Sequence, residues 1–278
     1  MDLSWWESLL YGFVSGFTEI LPVSAHAHRM ILLKVFGTEV VPTTMLLLIH
    51  IGVLAALYFC CQNHILRIAR ARRLAQIPKK RRKRPLDAIG LMDWSLLKTM
   101  ILPVIAAFFL YQKTSSLENK AVWVGIFVLL NGVILYVPQY LPSSNKDSRT
   151  LSRVHGLIMG LGGAAAVLPG VSCMGATLSI ESVCGVDRTY GLNMALLLEM
   201  AVTVGLIVMD IVKIVTLGMD PFSFALVLGS LLAAAAAFGA AVLAEKILRH
   251  LANTIGFTMF AYYCWGIALI AFILTLFV

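Results

Sequence analysis

Charge is scarce in this chain. Asp, Glu, Lys and Arg make up 13% of its 278 residues, 60% are hydrophobic, and the mean hydropathy is +0.89. A soluble core of this size could not bury so much apolar surface, so the chain reads as a polytopic membrane protein. Cysteine is sparse too. Cys60, Cys61, Cys173, Cys184 and Cys264 are odd in number and include no Cys-x-x-Cys pair. They point to neither a disulfide framework nor a zinc site and read as small core residues. A basic n-region is missing at the start, where Asp2 and Glu7 stand, and Pro22 leads into polar residues instead of a small-residue cleavage motif. The first helix is therefore expected to be kept, not cleaved as a signal.

What charge there is lies unevenly. Acidic residues number 14 against 22 basic, and half of the basic ones fall between His64 and Lys98, with KKRRKR at 79–84. In a soluble protein that run would suggest nucleic acid. Between two membrane spans it reads as a cytoplasmic loop on anionic headgroups, so the expected partner is membrane lipid and not nucleic acid.

One stretch breaks the apolar pattern. GFVSGFTEILPVSAHAH, residues 12–28, opens as an apolar helix and breaks at Pro22, bringing Glu19, Ser24, His26, His28 and Arg29 close together in sequence. Ionisable groups at membrane depth are costly unless they line a cavity, so they mark a functional site by default. A related stretch, GLIMGLGGAAAVLPGVSCMGAT, occupies residues 156–177. Both begin with glycines four apart (Gly12 and Gly16, Gly156 and Gly160), run into Leu-Pro, and reach a serine just after it, Ser24 or Ser172. LLLIHIGVLAAL from Leu46 and LLLEMAVTVGLI from Leu196 continue the repeat.

The spans follow from hydropathy. Residues 5–36 read as a re-entrant hairpin with arms Trp5–Leu21 and Met30–Phe36. Thr43–Cys61, Trp94–Tyr111 and Ala121–Tyr140 read as spans, with a basic cytoplasmic loop at 63–95 and a polar turn at Lys113–Lys120. The second hairpin, 154–183, is followed by spans at Tyr190–Ile211, Phe222–Ala244 and Thr254–Val278. Counting spans from the basic loop puts Pro142–Arg153 and Glu245–Asn253 on the cytoplasmic side as well. Three spans per half invert the second half relative to the first. The predicted fold is all-α, with repeats 1–141 and 154–278 in inverted topology, six transmembrane helices, and two broken hairpins meeting at a midplane site.

Irregular backbone at that depth must face protein or a water-filled cavity. Helix starts after Pro22 and Pro169 would aim N–H groups and positive dipole ends there, a setting that favours a phosphate. Thr18 and Thr177 could instead bond back to their own helices, and the paired glycines read as close-packing contacts. His50 and Glu199, ionisable and inside spans, are candidates for proton coupling, and Glu199 is the costlier to bury. Asp210 and Lys213 read as a snorkelling surface pair near a span end. No metal-ligand pattern is present.

TEILPVSAHAH and PGVSCMGAT resemble the two signature stretches of the bacterial undecaprenyl-diphosphatase family, approximately EGxTEFLPVSSTGH and PGxSRSGAT; the duplication and hairpins match as well. The resemblance implies a multi-pass protein of the bacterial plasma membrane that acts on a polyprenyl phosphate or diphosphate lipid carrier of cell-wall synthesis. It also allows a divalent cation, a homodimer and lipid translocation. Glu19, Ser24 and His28 carry over as catalytic candidates. Pro169, Gly170, Ser172, Gly175 and Thr177 carry over to the substrate side, with His26, Arg29 and Cys173 as further lining.

The departures fall on the chemistry. Ser15 stands where the family has an acidic residue, Ala25 where it has a serine proposed as nucleophile, and Cys173 and Cys264 where it has arginines. A charge-assisted arginine–phosphate bond contributes about 1.5–3 kcal/mol, and each donor lost from a transition state costs about 10²–10³ in rate. Three functions follow, in this order. The first is a binder of polyprenyl phosphate in a midplane cavity, with hydrolysis weak or lost and translocation open to it. The second is an active phosphatase using Ser24, His28 and Glu19. The third is a proton-coupled transporter of another substrate.

Overall fold

A computed structural model describes residues 3–38, 40–117, 120–142, 145–218, 220–221, 223–254 and 257–275. The described residues form helices, short 3-10 turns and two isolated bridges. The predicted turn at Lys113–Lys120, the start of the Phe222–Ala244 span and both ends of the last span lie partly outside them.

The first hairpin is α1 (Trp5–Ile20) and α2 (Ala25–Phe36). Ser4 starts α1 by donating its backbone N–H and its hydroxyl to the Glu7 carboxylate, at 2.7 and 2.6 Å. Sixteen residues extend about 24 Å, short of the roughly 30 Å hydrocarbon core, so α1 is too short to cross it upright. α2 starts at Ala25, five residues before the predicted second arm, because Ser24 caps it by accepting from the Ala27 N–H at 3.2 Å. Gly37, at φ 69°, ends it in the left-handed region.

α3 (Thr43–Gln76) corrects the sequence reading. It does not stop at Cys61 but runs 34 residues, about 51 Å, so most of the predicted basic loop is helix projecting beyond the membrane core. Arg, Leu, Ile and Ala at 65–75 are good helix formers, and charge alone does not end a helix. The remainder between α3 and the next α-helix is a short segment with one 3-10 turn at Lys79–Arg81. α4 (Ala88–Phe108), a small α5 (Tyr111–Ser115) and α6 (Ala121–Tyr136) complete the first half.

The second half comprises α7 (Arg153–Ala164), α8 (Cys173–Val183), α9 (Arg188–Leu217), α10 (Phe224–Thr254) and α11 (Thr258–Leu274). α10 likewise runs through Glu245–Asn253, which was read as a loop; there Glu245 bonds Arg249 one turn on at 2.8 Å. Among the described residues five helices are long and apolar enough to cross a membrane, and α11, at 17 residues, is a shorter apolar helix.

The packing repeats under exchange of the halves. α1 lies along α10 as α7 lies along α4, α1 pairs with α2 as α7 pairs with α8, and α3 meets α9 while α6 meets α11. Glycines set both long crossings. A Cβ on Gly12 or Gly16 would strike the backbone of Ala233 or Ala237, and one on Gly160 would strike Met100. These are the close approaches expected of small residues between membrane helices.

The three basic segments gather at the start of α9. Arg67 on α3 bonds Asp87, Lys146 donates to the Cys184 carbonyl, and Arg249 donates to Asn193. Large apolar side chains such as Leu102, Leu129, Val208 and Leu231 stay exposed along the spans, as a lipid-facing surface requires.

Candidate functional site

The hairpin tips meet on α6. Asn131, fully buried, accepts the Ser172 N–H on Oδ1 at 3.0 Å and turns its Nδ2 toward the Pro22 carbonyl, at 3.4 Å, and Cys264 Sγ, at 3.3 Å. The Ser172 hydroxyl bridges the tips directly. It donates to the Leu21 carbonyl at 3.3 Å and accepts from Gly175 N–H at 3.2 Å, capping α8. Gly170, at φ 124°, turns the second tip in a conformation that favours glycine, and a Cβ there would strike α6 at Val124 and Phe127. Pro169 is buried beside it, and Gly175 lies under the Pro22 carbonyl. Asn131 was missed in the sequence. The available signal was a lone amide inside the apolar run VLLNGVIL.

A second group is electrostatic. Arg29 Nη1 stands 3.6 Å from Glu19 Oε2 and 3.5 Å from His50 Nε2, both at the long limit for a direct hydrogen bond. His50 Nδ1 meets Asp210 Oδ2 at 2.6 Å, with both side chains buried. A carboxylate only accepts, so His50 carries its proton on Nδ1 and turns its Nε2 lone pair to Arg29 when neutral. This corrects the reading of Asp210 as half of a surface pair. Asp210 is 3% exposed and belongs to His50, while Lys213 lies over the Tyr111 ring. α3 and α9 cross here, so residues 160 apart become partners.

Glu199, 1% exposed, faces Cys173, and Glu19 is among its charged neighbours. Its Oε2 has no hydrogen-bond partner. His50 and Glu199 therefore do not pair with each other. Thr18 bonds back to Val14 O at 2.6 Å, whereas the Thr177 hydroxyl is buried without a partner.

His28 is drawn away from the serine. Its Nδ1 donates to the Ser24 carbonyl at 2.6 Å, which leaves Nε2, in the neutral ring, to accept from Tyr263 O–H at 2.7 Å. Both nitrogens are occupied and the Ser24 hydroxyl serves as a helix cap, so no Ser–His pair forms. His26 lies half-buried on the first turn of α2. Beyond, at the far end of α2, a groove of about 470 Å³ is lined by Met30, Lys34, Lys120, Trp123, Leu274 and Thr275.

With this geometry in place, comparison with known proteins is decisive. The family model described as "Bacitracin resistance protein BacA" matches residues 8–270. The chain belongs to the BacA family. Among curated relatives, an undecaprenyl-diphosphatase of Methanobrevibacter smithii is 30% identical over 271 residues, 96% of each chain. One from Halothermothrix orenii is 24% identical over 267 residues, again 96% of each, and one from Nocardioides sp. is 30% identical over 200 residues, 72% of each. The match takes in the second hairpin whole and the first from residue 8 onward. The family resemblance allows a divalent cation, but among the described residues no three His, Cys, Asp or Glu side chains converge as a metal site. Glu19 is turned to Arg29 and Asp210 to His50.

Proposed function

We propose that this BacA-family protein binds a polyprenyl phosphate or diphosphate carrier between its hairpin tips in the bacterial plasma membrane, hydrolyses it weakly or not at all, and can carry it across the bilayer. The observation behind the loss of hydrolysis is the state of His28, held by Ser24 O and Tyr263 OH. A general base must reach the nucleophile's proton. Here the ring engages a carbonyl and a phenol, Ala25 offers no hydroxyl, and the Ser24 hydroxyl oxygen accepts from the Ala27 N–H.

Binding has better support than catalysis. Two capped helix starts, at Ala25 and Cys173, follow tips that meet through Asn131 and Ser172, Arg29 lies one turn into the first of these helices, and dipole, N–H groups and guanidinium all favour an anionic headgroup. The groove with Lys34 and Lys120 gives the headgroup of a long lipid a side approach between α2, α6 and α11. Arg29→Ala should weaken binding of undecaprenyl phosphate to the protein in nanodiscs by about tenfold or more, the share of one arginine–phosphate bond. Unchanged affinity would remove Arg29 from the site.

A proton-coupled transporter of another substrate is the second reading. The His50–Asp210 pair and the unpartnered Glu199 favour it, because the chain carries groups that titrate and has cysteines, Cys173 and Cys264, where the family pattern has arginines. The pH dependence of uptake in wild type and Glu199→Gln separates the two readings.

A further inference from the structure

Buried polar atoms without partners are few in folded proteins, and each calls for an explanation. Here several fall on one line. Cys173, Thr177 and Glu181 recur every four residues along α8, which packs between α7 and α9, with Gly162 of α7 against the Thr177 backbone. At one end Cys173 faces Glu199. At the other, the Glu181 carboxylate lies against Gly191, where an added Cβ would meet its Oε2. The two helices are thus antiparallel over about 12 Å, with a carboxylate at each end. Thr177 Oγ1, both Glu181 oxygens and Glu199 Oε2 are buried and unpartnered, in side chains no more than 2% exposed.

The line continues to the basic end. Tyr190, next to Gly191, donates its hydroxyl to Asp93 Oδ1 at 3.0 Å. The other Asp93 oxygen has no hydrogen bond and stands 3.5 Å from His64 Nε2 and 4.0 Å from Arg67. His64 is 19% exposed and opens to water among the arginines of the α3 extension. Polar separations of this size in a polar site are those that ordered water bridges.

We propose that this file is a proton path from water at the basic end, through His64, Asp93, Tyr190, Glu181 and Thr177, to Glu199. Each transfer moves one proton from a donor oxygen or nitrogen to an acceptor. The hydroxyls and waters relay without net change, and Glu199 stores or releases the proton at mid-depth. Arg67 and Lys146 flank the entrance, and Glu19 is the charged group facing Glu199 from α1. The path stands whatever the cavity binds.

The test is proton exchange at Glu199, read by infrared spectroscopy on the full-length protein in lipid at acid pH, with its carboxylic C=O band identified by loss in Glu199→Gln. After transfer to D₂O the wild-type band should shift within seconds. In Thr177→Val and Glu181→Leu it should wait for local opening, which takes about minutes to hours. Thr177→Val changes one hydroxyl to a methyl and keeps the shape, so it carries the test if Glu181→Leu does not fold. Equal, fast exchange in Thr177→Val would overturn the path, as would a wild-type band that fails to exchange over hours. Undecaprenyl phosphate binding measured on the same samples shows separately whether the lipid reading holds.

Discussion

Asn131 has more structural consequence than any other single side chain near the tips, because one amide ties α6 to both hairpins. Asn131→Ala would leave the Ser172 N–H buried without its acceptor, at a cost of about 1–3 kcal/mol. The variant should unfold at lower temperature in detergent; an unchanged midpoint would show that the tips hold together without it. Single residues were legible in the sequence where their roles are local. Gly12, Gly16 and Gly160 make the close contacts their spacing suggested. Asp210 and Tyr263 were not legible, because their partners lie 160 and 235 residues away. In one dimension Asp210 had only Lys213 beside it, and charge spacing on a helix end favoured the wrong pair.

Among the elements, the breaks were easier to read than the ends. Pro22 and Pro169 interrupt apolar runs too short to span, and both hairpins follow from that. The ends of α3 and α10 were misjudged because both helices continue past the membrane core as polar helix. The end of α3 is tied to the start of α4 by Arg67, which donates to Asp87 at 3.0 Å while Asp87 caps α4 through Gly90 N–H at 2.9 Å. The Arg67 guanidinium, and then the Gly90 N–H, hold the Asp87 carboxyl below its usual range. A depressed folded-state value means that the stabilisation is complete above the usual carboxylate pKa of about 3.9 and is lost as pH falls through the lower one. Asp87→Ala should therefore melt below wild type at pH 7, and the two midpoints should converge below about pH 3. A gap that persists in acid would mean that Asp87 acts through packing rather than charge.

For the whole molecule, the fold class was legible because composition, hydropathy and the internal repeat agree, and the exchange of contacts between halves carries that repeat into three dimensions. What could not be read was how the retained motif residues are used: Ser24 as a cap, His28 held by Tyr263, and Glu19 turned to Arg29. The proposed function is lipid binding between the hairpin tips with hydrolysis weak or lost. The direct measurement is phosphate release from undecaprenyl diphosphate by the purified protein beside a BacA relative with both motifs intact, with lipid binding recorded for each. The expected result is binding by both and release at least about 10²-fold slower here, the scale of one lost transition-state donor. Release within about tenfold of the relative would contradict the account and return Ser24, His28 and Glu19 to a catalytic role.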